Sequence, residues 1–225
     1  MKAILFASTL LGISAGQAVA ADAIATTPPT FVWTGGYIGL QAGHAWGDAG
    51  VSYVYPGVSL FSSPDPDGFV GGVYAGYNHQ FTNNVVLGVD ADIAWTEAKS
   101  GFQPFNIFTR AAVDVAYTAA LRARIGYASD RWLPYVSGGL AISRAEISYD
   151  MVVQDAIVKD TLAGWTLGAG VEYAANDKLV VRAEYRYSDY GNGTAKPSAF
   201  PSFPNDRAAY DLRSSDIRLG VAYKF

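Results

Sequence analysis

The chain has no cysteine among its 225 residues and only two histidines, His44 and His79. The first absence excludes a disulfide framework and a thiol nucleophile. The second leaves too few imidazoles for a metal framework. Neither a glycine motif that would cradle phosphate nor a cluster with metal-ligand spacing is present. Past the first 20 residues, no apolar run approaches the roughly 20 residues of a membrane-crossing helix. The formal net charge of −4 gives no basic surface, which argues against nucleic acid as a partner. What the chain has instead is 15 Tyr, 11 Phe, 5 Trp and 24 Gly.

Residues 1–20 are expected to be a secretory signal peptide. Met1-Lys2 is a minimal positive start, Ala3 to Ile13 a short apolar stretch, and Ala18-Val19-Ala20 a small-x-small cleavage signal. A cut after Ala20 removes Lys2, the one charged residue before it, and moves the charge from −4 to −5. Residues 21–32 read as a periplasmic linker, because Pro28-Pro29 forbids regular structure there. An exported chain without disulfides needs another source of stability, and residues 33–225 suggest a closed hydrogen-bonded ladder.

From Trp33 onward the hydrophobic period is 2, not 3.6. Eight strands are predicted: about Tyr37 to Trp46, Phe69 to Gln80, Val86 to Glu97, Tyr117 to Tyr127, Leu133 to Glu146, Trp165 to Tyr173, Leu179 to Ser188, and Asp216 to Phe225. The third is the clearest. There Leu87, Val89, Ala91, Ile93 and Trp95 alternate with Gly88, Asp90, Asp92, Ala94 and Thr96. Three connections are short, at 82–84, 129–131 and 175–177; four are long, at about 47–68, 97–114, 147–161 and 189–212. Short and long alternate without exception, as periplasmic turns and extracellular loops do in outer-membrane barrels. The fold expected is therefore all-β, an eight-stranded antiparallel up-and-down transmembrane barrel.

Alternation alone also fits a soluble sandwich. The placement of the aromatics separates the two. Trp46, Phe69, Trp95, Tyr117, Trp165 and Tyr187 fall near the loop ends of their strands. Tyr77, Tyr127, Trp132, Tyr173, Tyr223 and Phe225 fall near the turn ends, with mainly aliphatic residues between. Two belts around an aliphatic band match two membrane interfaces. The opposite face carries Asp90, Asp92, Glu172, Glu184 and Asp216 against Arg122, Arg124, Arg182, Arg186 and Arg218. Five acids face five arginines, an arrangement tolerable in a small lumen when matched and hydrogen-bonded. A selectivity filter or proton path is one reading of it. A structural plug is preferred, since eight strands enclose little more than their own side chains.

The segments Trp33-Thr34-Gly35-Gly36-Tyr37-Ile38-Gly39, Gly71-Gly72-Val73-Tyr74-Ala75-Gly76-Tyr77-Asn78 and Leu219-Gly220-Val221-Ala222-Tyr223-Lys224-Phe225 carry a resemblance. So do Trp132 to Gly139 and Glu184 to Gly191. The chain resembles the small outer-membrane surface-antigen barrels of alphaproteobacteria, called porin-family or opacity-like. The resemblance implies a barrel similar to the OmpA membrane domain, exposed at the cell surface, without a following peptidoglycan-binding domain. Some members of that family are described as haemin binders, others as structural or adhesive antigens. Tyr223 and Phe225, at the end of an amphipathic last strand, are read as a recognition signal for the outer-membrane assembly machinery.

A lipid A-modifying enzyme would want a His and a Ser together on the lipid face. Gly43-His44-Ala45-Trp46-Gly47 offers His44 without an adjacent serine of matching parity. His44 is read as an interfacial ring beside Trp46, and His79 as part of the periplasmic belt. Tyr53, Tyr55 and Phe61 in the first long connection could contact haemin or a host surface, or simply order the loop. The expectation is a non-enzymatic, structural surface barrel with no cofactor, a plugged lumen and loops for surface interaction. Its surroundings would be outer-membrane lipid and lipopolysaccharide, and as a closed barrel it would stand as a monomer. A small porin and a haemin- or host-binding receptor remain the alternatives.

Overall fold

The structure, a computed structural model, describes residues 31–55, 58–106, 109–151, 156–195 and 207–225. The expected signal peptide, with Ala18 and Ala20, and linker residues 21–30 lie outside the described residues.

Among the described residues ten strands form one antiparallel sheet: β1 (Gly35–Tyr55), β2 (Val58–Ser62), β3 (Asp67–Gln80), β4 (Val85–Thr96), β5 (Gln103–Asn106), β6 (Thr109–Tyr127), β7 (Trp132–Met151), β8 (Ala156–Ala174), β9 (Leu179–Ala195) and β10 (Arg207–Lys224). Eight of them run in chain order, β1-β3-β4-β6-β7-β8-β9-β10. The circle closes where β10 pairs back on β1, from Tyr37↔Lys224 to Val54↔Arg207. Through the closed part the ladder is continuous around the circle and there is no sheet edge, the condition for crossing hydrocarbon. The short strands β2 and β5 are additions, pairing with the far ends of β1 and β6.

The tight turns are set by local chemistry. Asn84 and Asp130 take positive φ of 65° and 50°, the conformation these residue types tolerate best after glycine. Asn176 Oδ1 accepts from the backbone N of Lys178 at 2.9 Å and of Leu179 at 2.8 Å, so its side chain closes the turn into β9.

The strands are longer than the alternation predicts. β1 reaches Tyr55 rather than ending near Trp46, and β6 starts at Thr109 rather than Tyr117. Much of what reads as long loop is ladder. The reason lies in the phase of the pattern, most plainly in β7. Up to Ile142 the apolar residues Val136, Leu140 and Ile142 face outward. Beyond it, Arg144 is exposed while Ala145, Ile147 and Tyr149 are buried inside. The outer surface has changed from apolar to polar, and the interior from polar to apolar. An apolar outer face belongs in lipid and an apolar interior in water, so the inversion marks where the strand leaves the membrane.

Two irregularities keep this phase change consistent around the barrel. In β6 the register shifts between Val115 and Tyr117. The extra residue, Ala116, lets Val113 and Val115 point inward above it while Thr118, Ala120 and Arg122 do so below. In β9, Tyr190 and Gly191 together oppose Leu212 of β10. Gly191 has φ of 69°, a bulge conformation that a side chain would strain.

Candidate functional site

The interior of the barrel is layered, and each layer follows from which residues the strands turn inward. The middle layer holds the five acids and five arginines expected on the inward face, each buried. Arg122 of β6 is its centre. Its Nε and Nη2 bond Asp90 at 3.0 and 3.1 Å, and its Nη1 bonds Glu184 Oε1 at 2.7 Å and Ser137 Oγ at 3.2 Å. Arg186 forks onto Asp92 at 3.1 and 3.0 Å and also reaches Glu184. Arg218 joins Asp216 at 2.6 Å and Asp92 at 3.2 Å. Planar guanidinium forks allow each of these three arginines to serve two carboxylates.

The partners are not all neighbours along the sheet. Asp90 stands directly opposite Arg122 in the β4–β6 ladder. Asp92 instead bonds across the lumen to β9 and β10, and Arg124 crosses to Glu172 of β8 at 2.8 Å. Asp90 also accepts from Arg182 of β9 at 3.2 Å. The cluster therefore ties opposite walls together, which adjacent-strand reasoning does not reveal.

Tyr37, Tyr74, Tyr135 and Gln41 join this layer without having been singled out from the sequence. Tyr135 donates to Glu184 Oε2 at 2.6 Å, and Arg124 donates to the Tyr37 hydroxyl at 3.1 Å. Gln41 links Asp92 and Arg182. The Arg124 and Arg182 guanidiniums lie 3.8 and 3.7 Å from the ring centres of Tyr135 and Tyr74, within cation–π range. Their signal was present, since all four share the inward parity of the charges. Glycine makes room for the rings: a Cβ on Gly170 would lie 2.7 Å from the Tyr135 hydroxyl, and one on Gly39 2.7 Å from Tyr74 Cζ.

Below the charges, Phe31, Trp33, Val86, Ala128, Leu133, Ala174 and Val180 form an apolar floor. Above them comes a hydroxyl layer in which Ser188 donates to Thr166 Oγ1 at 2.9 Å. The cavity left there, bounded by Thr118, Ser143, Tyr190, Asp216 and Arg218, has about 30 Å³ of room, enough for one or two waters. Higher still, Val51, Val113, Ala145, Ile147, Leu162 and Leu212 belong to an apolar cluster inside the extended strands. Tyr210 of β10 donates to Asp160 of β8 there. Burial, then the Asp160 carboxylate, pushes the Tyr210 hydroxyl above its ordinary range, so it stays a donor at neutral pH.

The remaining sequence candidates lie on the outside. His44 Nε2 is 3.9 Å from Asp67, with its ring against Trp46 and Phe69. His79 packs on Phe81. Tyr223 and Phe225 are exposed and in ring contact, and the Phe225 backbone N donates to Gly36 O at 2.9 Å. Phe61 of β2 is exposed, whereas the side chains of Tyr53 and Tyr55 lie outside the described residues. Among the described residues, no group of three or more His, Asp or Glu could hold a metal ion. The outward faces of the strands carry Leu40, Leu87, Leu121, Leu140, Leu167 and Leu219, all exposed. So broad an apolar band is not compatible with water as its solvent.

Comparison with known proteins agrees with this geometry. The family described as outer membrane protein beta-barrel domain matches residues 6–225. The 31 kDa outer-membrane immunogenic protein of Brucella melitensis is 33% identical over 251 residues, covering 100% of both chains. The 25 kDa outer-membrane immunogenic protein of Brucella abortus is 31% identical, covering 100% of this chain and 99% of its own. The 22 kDa outer membrane protein of Rhizobium leguminosarum is 31% identical, covering 89% and 82% respectively. Among solved structures, Neisserial surface protein A is 20% identical, with 85% of this chain and 98% of the other covered and a TM-score of 0.45.

Proposed function

This chain belongs to the outer membrane protein β-barrel domain family, and within that family we propose a structural, non-enzymatic role with a lumen plugged by its own side chains. It is an outer-membrane surface-antigen barrel, like the immunogenic proteins to which it is similar. The observation that carries the plug reading is the fully occupied charge layer. Five arginines and five carboxylates neutralise one another within hydrogen-bonding distance, between an apolar floor and an apolar upper cluster. An ion entering would have to break bonds between buried charges, which costs several kcal/mol. Interaction with the surroundings then falls to the polar outer faces of the extended strands and the connections between them. The expected signal peptide and linker, and the assembly role of Tyr223 and Phe225, belong to the same proposal. The outer-leaflet lipopolysaccharide is the immediate surrounding of the upper aromatic belt.

Liposome swelling tests the plug. Vesicles containing the folded protein should swell in isotonic arabinose no faster than protein-free vesicles. Swelling that rises with protein content would establish a small porin instead.

A further inference from the structure

The floor of the lumen contains a segment that precedes the first strand, with Phe31 from the expected linker and Trp33 from the start of the expected barrel region. Trp33 precedes β1 and is 1% exposed, and Phe31 is 6% exposed. Their neighbours in the cluster are Val86 of β4, Ala128 after β6, Leu133 of β7, Ala174 of β8 and Val180 of β9. In the closed order of strands, β1 lies between β10 and β3. The cup that receives Trp33 is thus made by the five strands of the eight-strand circle that do not pair with β1. The segment crosses the periplasmic mouth and docks on the opposite wall.

Its near end is fixed as well. The Trp33 backbone N donates to Gln80 Oε1 at 2.8 Å, and the Gln80 backbone N donates to Thr34 Oγ1 at 2.9 Å. The Lys224 ammonium lies 5.4 Å from the Phe31 ring centre, so the last strand is in contact too. Phe31 and Trp33 themselves meet edge to face at 4.8 Å, a favourable geometry.

We propose that Phe31–Thr34 is a closure lock: an intramolecular ligand whose binding cup exists only once β1 and β10 have zipped the barrel shut, and which then holds it shut. Before closure, β4 and β9 sit at distant points of an open sheet, so Val86 and Val180 do not flank a common pocket. Contacts made after the rate-limiting closure change the unfolding rate and leave the folding rate nearly untouched. The inference goes beyond the plug reading and does not depend on whether the lumen conducts.

Folding and unfolding kinetics of the mature chain in detergent micelles, followed by the heat-dependent gel shift, test it. Trp33→Ala should unfold faster by on the order of 100- to 1,000-fold, the scale for removing a buried indole, with folding changed less than about twofold. Trp33→Phe should recover most of the difference. In a variant with Trp46, Trp95, Trp132 and Trp165 replaced by Phe, Trp33 emission should shift to the blue together with the appearance of the folded band. A blue shift preceding that band, or a Trp33→Ala variant that folds slowly but unfolds at the parental rate, would overturn the lock. Failure of Trp33→Ala to fold at all would do so as well, since the segment would then be needed before closure.

Discussion

Arg122→Ala should lower the unfolding free energy by roughly 3–5 kcal/mol, the range for breaking one side of a buried ion pair. The size follows from what is left behind. Asp90 loses two of its bonds and Glu184 one, and both carboxylates are buried. Arg182 and Arg186 still face these carboxylates, so the loss stays at the scale of one ion. A surface pair supplies the control. Arg131 stands 3.8 Å from Asp177 beside a tight turn, both partly or largely exposed, and Arg131→Ala should cost less than about 1 kcal/mol. Urea titration in micelles, with unfolding read from the gel shift, measures both. Equal small losses at the two positions would mean that the charge layer is a bystander to stability.

Three substitutions along β7 should give two large penalties of different origin and one negligible one. Leu140 faces outward and is 70% exposed, while Ile147, seven residues further along, is 1% exposed. Leu140→Arg places a charge in the lipid band and should cost about 2–4 kcal/mol if it sits near the bilayer midplane. Ser148→Arg also points outward, but beyond the phase inversion, and should change stability by less than about 0.5 kcal/mol. Ile147→Ala empties part of the upper cluster and should cost about 2–5 kcal/mol. Unfolding in lipid vesicles reads all three. A large penalty at Ser148 would move the membrane boundary outward and undo the reading of the upper half as a water-exposed, apolar-cored extension.

These two predictions rest on features of different legibility. The eight spanning strands, their inward charges and the three tight turns are visible in the sequence, because a period of 2 needs only alternation to be recognised. The aromatic belts are visible for the same reason, as Trp46 and Trp95 share parity with the aliphatic residues below them. The extensions are hidden by a change of phase. Arg144-Ala145-Glu146-Ile147-Ser148-Tyr149 alternates as strictly as the segment before it, but with the faces exchanged. A search for one continuous apolar face stops where they swap, and the bulges at Ala116 and Gly191 add an odd residue that breaks the count. The cross-lumen bonds of Asp92 and Arg124 are hidden because barrel closure, not sequence neighbourhood, brings those walls together. The docking of Phe31 and Trp33 is hidden because nothing local distinguishes an aromatic residue ahead of the first strand from one that packs into the lumen.

The central claim is that the lumen is closed by its own charges, and single-channel recording in a planar bilayer addresses it most directly. The folded chain, verified by its heat-dependent gel shift, should insert and leave the bilayer silent at 1 M salt and 100 mV. Discrete, reproducible current steps from that same material would contradict the account and turn the Asp–Arg layer from a plug into a filter.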